Sequence, residues 1–397
     1  PAECRDKKES ISIMEWINEK AKTLKQGAIR AMFDRANTMT GVISLGIGEP
    51  DMPTPKLVCE ACKEALDKGI THYTPNAGTL SFRQAIAEKS YLKDLHYDPK
   101  TEIIITNGGM GALSLLFLVL LNKGDEILIQ DPQWLNYVAQ VAYCDGTAVR
   151  VPTDLAHNFE MQPETIETLI TPRTKAIIPV DVGGILCDYT RIFSIVEDRR
   201  GDFSPASPLQ AQLGRIAVIA DGAHSFGAVR GGIRSGAWAD FTTFSFHAVK
   251  NLTTAEGGAI MLNLPEPFDN EDVYRYLCTY TLHGQNKDAL AKTKKGAWRY
   301  DVLVSGFKGN MTDIMASIGL VELSRYEDDT LHYRKCIYDQ YTDAFSRYGW
   351  AELPIYETED RKSSYHVYCL RVKGITEQQR DEIIQRIFDR DVSVNVH

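Results

Sequence analysis

The sequence has few of the features that membrane, secreted or nucleic-acid-binding proteins need. No apolar run approaches the roughly 20 residues of a membrane helix, and the polar residues 1–10 lack the apolar core of a signal peptide. The formal net charge is −9 and no long basic tract is present, whereas phosphate-rich partners require clustered cationic surface. We therefore expect a cytoplasmic protein that binds neither membranes nor nucleic acids.

Cysteine pairs typical of disulfide scaffolds or zinc sites are also lacking. The eight cysteines are scattered along 397 residues, a length that can bury a large core without disulfide bonds. Cys59 and Cys62 form a Cys-x-x-Cys pair, but the pair lies in a predicted helix from Lys56 to Lys68, and no second pair completes a zinc site. We expect reduced, partly buried thiols and no metal ion.

The glycine fingerprint of a dinucleotide-binding fold is incomplete. Gly46-Ile47-Gly48 is followed by Glu49-Pro50-Asp51 and not by a helix that carries a third glycine. In Rossmann folds that third glycine lets the helix pack closely against the strand. The sequence therefore disfavours a NAD-binding protein.

Apolar, strand-like segments alternate with segments of helical periodicity over much of the chain. Such alternation predicts an α/β fold with a mostly parallel sheet between helices. Because open α/β sheets bind ligands at the carboxyl ends of their strands, the residues that follow each strand are site candidates. The predicted strands are Glu102 to Thr106, Glu126 to Gln130, Ala176 to Val180, Ile216 to Ala220, Phe241 to Phe246 and Gly258 to Leu262.

The pattern divides the chain into three parts. Residues 1–55 are predicted to form an N-terminal arm and small-domain segment, residues 56–312 a large α/β domain, and residues 313–397 a small α+β domain. Gly201 to Gln212 is rich in proline, serine and glutamine, and we predict a loop there.

The small domain is predicted from a change of periodicity. Helical periodicity runs from Asp313 to about Ser346. Two strand-like pieces, Tyr365 to Val372 and Asp391 to Val396, then flank a predicted helix near Glu377 to Arg390.

A glycine-rich turn after the first predicted strand is a candidate anion site. Thr106 to Leu113 leaves that strand through Gly108, Gly109 and Gly111 and opens an apolar helix. The free N–H groups and the dipole of a helix N-terminus attract phosphate. The alternative is an ordinary glycine-rich turn, and the turn alone does not decide between the two.

Two side chains that follow later strands could hold a flat, cationic ring. Trp134 offers an aromatic face for stacking, and its alternative is a place in the core. Asp221 directly follows Ile216 to Ala220, where a carboxylate needs a partner. A protonated pyridine nitrogen would be such a partner, because the carboxylate would raise the pKa of that nitrogen. The alternative for Asp221 is a helix N-cap.

Lys250 is the candidate nucleophile. It lies in the segment Ser245 to Asn251, directly after the predicted strand Phe241 to Phe246. Apolar surroundings remove solvation from an ammonium group and lower its pKa toward the range in which the neutral amine attacks carbonyl carbon. Most lysines lie on the surface, but the apolar neighbours of Lys250 argue against a surface position.

The order of these features resembles that of fold-type I enzymes, which use pyridoxal 5′-phosphate (PLP). Two segments of the chain resemble two different branches of that superfamily. The class I-like segment, from about residue 25 to 175, resembles aspartate-type aminotransferases through Ser44 to Asp51, His72 to Gly78, the Gly108 turn and Trp134. The DegT-like segment, from about residue 174 to 397, resembles sugar aminotransferases through Ile178 to Asp181, Asp221 to Gly227, Ser245 to Gly258 and Gly306 to Asp313. The two patterns together suggest a mosaic chain.

The DegT-like resemblance implies four roles close to the cofactor. Lys250 would carry PLP as a Schiff base, and Asp221 would pair with the ring nitrogen. His224 would lie near the phenolic oxygen of the cofactor, and Ser245 would bind its phosphate. The same resemblance places His283 and Lys308 at the interface of a homodimer, although Lys308 stands where asparagine is commoner.

The class I-like resemblance implies the remaining contacts. The backbone of Gly108, Gly109 and Met110 would bind the phosphate, and Trp134 would stack on the ring. Tyr73 would reach the phosphate of the neighbouring subunit.

The sequence departs from the patterns of these two families at three places, which affect the expected substrate contacts more than the cofactor contacts. Asp181 to Gly184 occupies the region of the Asn-Pro-x-Gly element by which class I enzymes contact the ring oxygen. The C-terminal arginine that would clamp a substrate α-carboxylate is missing. The chain ends at His397, short of where a DegT-type small domain usually finishes, so we expect that domain to be truncated.

The resemblance implies an aminotransferase that moves an amino group, by family likeness from glutamate, to a nucleotide-linked keto sugar. Lys250 would act as the base and then as the acid. An amino-acid aminotransferase is the first alternative. The class I-like segment favours it, whereas the missing arginine disfavours it. A further alternative is an inactive or regulatory protein that binds PLP without turnover.

Overall fold

A computed structural model of the chain describes residues 43–44, 52–90, 96–157, 159–287, 299–394 and 396. The stretch from Gly46 to Asp51, part of the class I-like resemblance, lies outside these ranges. The strands are β1 (Ile43–Ser44), β2 (Ile103–Thr106), β3 (Glu126–Asp131), β4 (Thr147–Pro152), β5 (Thr174–Ile178), β6 (Ala217–Asp221), β7 (Val229–Arg230), β8 (Ile233–Arg234), β9 (Phe241–Ser245), β10 (Gly258–Leu262), β11 (Ala351–Glu352), β12 (Arg361–Lys362), β13 (Arg371–Val372) and β14 (Val392–Ser393).

The helices surround the longer strands. They are α1 (Lys56–Asp67), α2 (Leu80–Ser90), α3 (Gly109–Leu120), α4 (Asn136–Tyr143), α5 (Pro163–Leu169), α6 (Tyr189–Asp198), α7 (Pro208–Leu213), α8 (Asn270–Tyr280), α9 (Asp313–Arg325), α10 (His332–Ser346) and α11 (Glu377–Phe388). A π-helical stretch, Tyr326–Leu331, joins α9 to α10, and short 3-10 turns span Leu155–His157, Val182–Gly184 and Arg200–Asp202. Each helix in the described ranges is too short or too polar to cross a membrane.

Seven strands form the central sheet in the order β2-β10-β9-β6-β5-β3-β4. Neighbours run parallel from β9 through β6, β5 and β3 to β4, whereas β10 is antiparallel to both β9 and β2. Gly258, the first residue of β10, pairs with Ser245 on one side and with Thr106 on the other. The start of β10 therefore lies at the edge where β2 and β9 end.

The sheet is buried on both faces, as its runs of isoleucine and valine predict. Because successive side chains of a strand point to opposite faces, Ile104, Ile127 and Ile219 pack with α3 and α8 on one side. On the other side, Ile105 and Phe244 pack with α2 and α9, while a separate group with α5 and α6 includes Leu128, Ile177 and Val218.

The predicted α/β fold is confirmed, with small shifts at strand ends. Gly258–Leu262 is observed as predicted, and β5 begins at Thr174, two residues earlier than expected, because Thr174 and Lys175 are polar yet buried. Strand β4 was not predicted. Its exposed polar residues and its position at the edge of the sheet weaken the apolar signal.

Two predictions about local structure are wrong. Gly201 to Gln212 is not a plain loop: it enters helix α7, where Pro208 occupies the first turn and the Ser207 side chain accepts a hydrogen bond from the backbone of Gln210. Of the predicted strand Tyr365 to Val372, Arg371–Val372 alone pairs as a strand. Tyr365 has a φ of 56°, which interrupts the extended backbone.

The continuous helical stretch predicted from Asp313 to Ser346 is confirmed as α9, the π-helical stretch and α10. Helix α9 packs against α1 and α2, so the region after Asp313 is in contact with the helices that precede the sheet. The three domain boundaries stay predictions.

Candidate active site

The first turn of α3 lies against the ends of β9 and β10. Gly108 precedes the helix with a φ of 90°, a conformation that favours glycine, and no side chain caps the helix there. A Cβ on Gly109 would lie 2.9 Å from the Cβ of Ser245, and a Cβ on Gly258 would lie 2.6 Å from the backbone nitrogen of Gly109. The missing side chains of Gly109 and Gly258 thus let the first turn of α3 lie directly against β9 and β10, with Ser245 on the neighbouring strand.

Met110 lies in the same turn and is held from helix α4. The amide nitrogen of Gln140 donates to the backbone oxygen of Met110 at 2.9 Å and to the hydroxyl of Ser114 at 2.6 Å. The residues predicted to bind a phosphate therefore come together at one helix N-terminus, which is a suitable place for an anion.

Asp221 ends β6 with its side chain almost fully buried. One carboxylate oxygen accepts a hydrogen bond from the hydroxyl of Tyr137, and the other accepts one from the backbone N–H of Ala223 at 2.9 Å. The second bond is the local capping interaction that was the alternative for Asp221. Both donors are neutral, so the buried negative charge still favours a cationic partner.

Lys250 occupies the turn after β9, where its backbone N–H donates to the carbonyl of His247 at 2.9 Å. Burial lowers the pKa of the Lys250 ammonium group below the usual lysine value, while the negative charge of Asp221 acts in the opposite direction. A larger share of neutral, nucleophilic amine follows, close enough to Asp221 for the two groups to interact.

His224 is positioned by two contacts on the far side of the Asp221 turn. Its Nδ1 lies 3.4 Å from the backbone nitrogen of Gly183, as an acceptor of that N–H group. Its ring packs against the ring of His366, with 4.3 Å between the ring centroids.

His366 is itself oriented by the residue next to Lys250. The side-chain nitrogen of Asn251 donates to the carbonyl of Ser364 at 2.6 Å, so the side-chain oxygen of Asn251 is the group that faces His366 Nδ1, at 2.7 Å. Nδ1 of His366 must therefore carry a proton. The segment that contains Ser364 and His366 thus reaches the candidate site.

Trp134 and Tyr73 lie at the surface of this chain. Trp134 is 49% exposed in the turn before α4, so its alternative place in the core is wrong. Tyr73 is 71% exposed, and the ammonium of Lys308 lies 5.8 Å from the centroid of its ring. The Lys308 ammonium also donates to Asn310 at 2.6 Å, and the backbone of His283 donates to Phe307 at 2.9 Å.

Sequence reasoning missed two residues of this site, Tyr137 and His366. Tyr137 is 1% exposed and resembles any core aromatic residue at the start of an amphipathic helix. Its spacing of three residues after Trp134 was the available signal, because both residues then belong to one turn. Nothing local in the sequence marks His366.

The arrangement fits the groups of PLP. The N-terminus of α3 and Ser245 suit its phosphate, the buried Asp221 carboxylate suits a protonated ring nitrogen, and Lys250 suits its aldehyde. The fit combines residues of both segments, since α3 and Tyr137 belong to the class I-like segment.

The profile of the DegT/DnrJ/EryC1/StrS aminotransferase family matches residues 81–397. The match covers most of the chain, which therefore belongs to this family. It begins well before residue 174, so the family pattern extends into the segment that also resembles class I enzymes.

Two curated relatives are named as amino-acid aminotransferases. Aromatic-amino-acid aminotransferase 2 of Thermococcus litoralis is 39% identical over 163 residues, which are 41% of this chain and 42% of that protein. Aspartate aminotransferase of Pyrococcus horikoshii is 42% identical over 164 residues, again 41% of this chain and 42% of the relative. The match thus spans about two fifths of the length of these curated relatives.

A solved structure covers far more of the chain. Spr1654 from Streptococcus pneumoniae, provisionally described as a sugar aminotransferase, is 36% identical in its PMP form, with a TM-score of 0.79 over 88% of this chain and 84% of its own. Its PLP form is similar at a TM-score of 0.78. These comparisons confirm the predicted family, the fold-type I architecture and PLP as the cofactor.

Proposed function

We propose that this member of the DegT/DnrJ/EryC1/StrS aminotransferase family moves an amino group from glutamate to a keto acceptor, and that the acceptor is a nucleotide-linked keto sugar. The observation that carries the proposal is Lys250, whose pKa is lowered by burial next to the charge of Asp221. The sugar acceptor is supported by the family match over residues 81–397 and by the likeness to Spr1654.

Each residue has a distinct task in this proposal. The N–H groups at the start of α3 and the Ser245 hydroxyl bind the phosphate, while the carboxylate of Asp221 pairs with the ring nitrogen. Bound PLP supplies an electron sink for the carbanion at the substrate Cα. The amine of Lys250 would take the proton from that Cα as a base and deliver it to C4′ of the cofactor as an acid. His224 binds the ring oxygen.

We further propose that the protein works as a homodimer in which Tyr73, His283 and Lys308 contribute to the site of the neighbouring subunit. High exposure of Tyr73 next to the Lys308 ammonium supports this, because an aromatic ring and a cation on the surface suit contact with a bound phosphate. Co-expression of Lys250→Ala with Tyr73→Ala chains tests the idea. Each mixed dimer should regain one native site, or about half of the wild-type activity per dimer, if sites are shared, and should match the average of the two parents if they are not.

Trapping of the cofactor tests the role of Lys250. Borohydride reduction of the PLP-loaded protein, followed by peptide mass spectrometry, should place the label on Lys250, and Lys250→Ala should remain unlabelled. Lys123→Ala, at an exposed loop lysine outside the candidate site, is the matched control and should label normally on Lys250. A label that persists at another lysine in Lys250→Ala would overturn the assignment.

A second experiment separates the acceptors. The protein in its pyridoxamine form is mixed with a UDP- or dTDP-linked 4-keto sugar, and separately with aromatic and dicarboxylic 2-oxo acids. Rapid return of the PLP spectrum with the keto sugar alone supports the proposal.

The relatives from Thermococcus and Pyrococcus favour an amino-acid aminotransferase as the second candidate. Return of the PLP spectrum with the 2-oxo acids and not with the keto sugar would select it. No conversion to the pyridoxamine form on addition of glutamate would instead indicate a protein that binds PLP without turnover.

A further inference from the structure

A second buried carboxylate lies behind Asp221. Asp181 is 1% exposed, and Val180 forms a parallel bridge with Asp221. The backbone N–H of Asp181 donates to the carbonyl of Asp221 at 3.1 Å, and that of Asp221 donates to Pro179 at 2.9 Å. The two carboxylates therefore belong to neighbouring, hydrogen-bonded backbone segments.

Neutral donors surround the carboxylate of Asp181. One oxygen accepts hydrogen bonds from the backbone of Cys187 at 3.0 Å and from the hydroxyl of Tyr189 at 2.8 Å. The other accepts one from the hydroxyl of Ser225 at 2.8 Å. In the described part of the chain no basic side chain forms an ion pair with Asp181, and Asp221 is the charged group that acts on it.

Ser225 links Asp181 to the turn that carries His224. Its backbone N–H donates to the carbonyl of Gly222 at 2.9 Å, which closes the turn after Asp221. Its hydroxyl also lies 2.6 Å from the hydroxyl of Ser235, and either group can be the donor. Asp181 thus contacts the turn from Gly222 to Ser225, which carries His224.

We infer that Asp181 is a positioning residue that acts on the cofactor through Asp221. Its negative charge, held behind Asp221 by neutral donors, favours the protonated ring nitrogen, and its bond to Ser225 holds the turn that carries His224. The inference rests on the proposed function to the extent that Asp221 pairs with the ring nitrogen.

The ionisation of the surrounding groups is consistent with this role. Burial raises the pKa of Asp181 to about 6, and the charge of Asp221 contributes to the rise. Burial also raises the pKa values of Tyr189 and Cys187 well above their usual values, so both side chains stay protonated. Glu160 and Arg230 act on Cys187 with opposite signs. Asp181 is therefore the group of this cluster that gains its charge near neutral pH.

The substitution Asp181→Asn removes the charge and can keep the hydrogen bonds. The asparagine oxygen can accept from Cys187 and Tyr189, and its NH₂ group can donate to the Ser225 hydroxyl, which then donates to Ser235. Tyr189→Phe is the matched control, because it removes one donor and leaves the carboxyl group of Asp181 in place.

The readout is the pH midpoint of the absorbance change of lysine-bound PLP. Loss of a negative charge should lower the midpoint by about 1 pH unit in Asp181→Asn, as expected for a charge on the order of 10 Å away at an effective dielectric constant of ~20. Tyr189→Phe should move the midpoint by less than half of that shift. An unchanged midpoint in a folded, PLP-loaded Asp181→Asn protein would overturn the inference.

Two further outcomes are informative. If Asp181→Asn does not fold, Asp181→Ser, which also removes the charge and has a smaller side chain, should lower the midpoint by a similar amount. An unchanged midpoint in folded, PLP-loaded Asp181→Ser would count against the inference. The measurement requires bound PLP and no turnover, so a failure of the proposed amino transfer is seen separately in the reaction with glutamate.

Discussion

The class I-like and DegT-like segments contribute different kinds of groups to one site. The first supplies backbone N–H groups at the start of α3 and the neutral hydroxyl of Tyr137, whereas the second supplies the ionisable groups Asp221 and Lys250. The two are interleaved, since β2 pairs with β10 and β3 pairs with β5. The mosaic pattern in the sequence is therefore not a division of the folded molecule, because neither segment can complete the sheet or the site alone.

The largest effect should come from the ionisable groups of the DegT-like segment. Lys250→Ala should lower the rate at which glutamate converts the PLP form to the pyridoxamine form by about 10²- to 10⁴-fold, the usual range for loss of a general acid–base group. Stopped-flow absorbance measures this rate. A loss of less than tenfold would mean that another group moves the proton.

The contact between the two segments can be broken at Gly258. Gly258→Ala should destabilise the fold by about 3 kcal/mol and weaken PLP binding, because the new Cβ would lie 2.6 Å from the backbone of Gly108 and Gly109. Thermal unfolding and PLP titration measure both effects. Gly111→Ala is the control: a Cβ there meets nothing within 4 Å, so alanine should stabilise helix α3 slightly. Equal thermal stability and PLP affinity of the two variants would contradict the close approach of Gly258 to the backbone of Gly108 and Gly109.

Asp181 predicts how stability depends on pH within the DegT-like segment. Its folded pKa of about 6 lies above the unfolded value, so its contribution to stability is full below about pH 4 and is lost as the pH rises through 6. The free energy of unfolding of the apoprotein should fall across that window by about 2 to 3 kcal/mol more than that of Asp181→Asn. Parallel stability curves for the two proteins would disprove the raised pKa.

The smallest of these effects should come from the class I-like segment. Tyr137→Phe removes a neutral donor to Asp221 and should slow the reaction with glutamate by about tenfold, or ~1.4 kcal/mol. Tyr97→Phe is the matched control, because its buried hydroxyl donates to the carbonyl of Gly236, outside the site, and should leave the rate unchanged. A loss in Tyr137→Phe as large as that in Lys250→Ala would remove the distinction between the two segments.

Much of the local structure was predictable because it depends on neighbours in the sequence. Buried strands appear as apolar runs, and five of the six predicted strands lie within one residue of an observed boundary at their N-terminal ends. Gly108 and Gly109 mark a strand-to-helix turn by their composition. The edge strand β4 and the interrupted strand at Tyr365 were not predicted, because neither an exposed strand nor a positive φ can be inferred from apolar periodicity.

The sequence by itself determined the candidates: the lysine among apolar residues, the aspartate at a strand end and the glycine turn. The tertiary structure decided which of them act together. It placed antiparallel β10 between β2 and β9, which brings Gly258 against Gly109, and it placed Tyr137 on Asp221 and Asp181 behind it. Such contacts join residues far apart in the chain, and they depend on strand order and packing, for which single-sequence periodicity carries no signal.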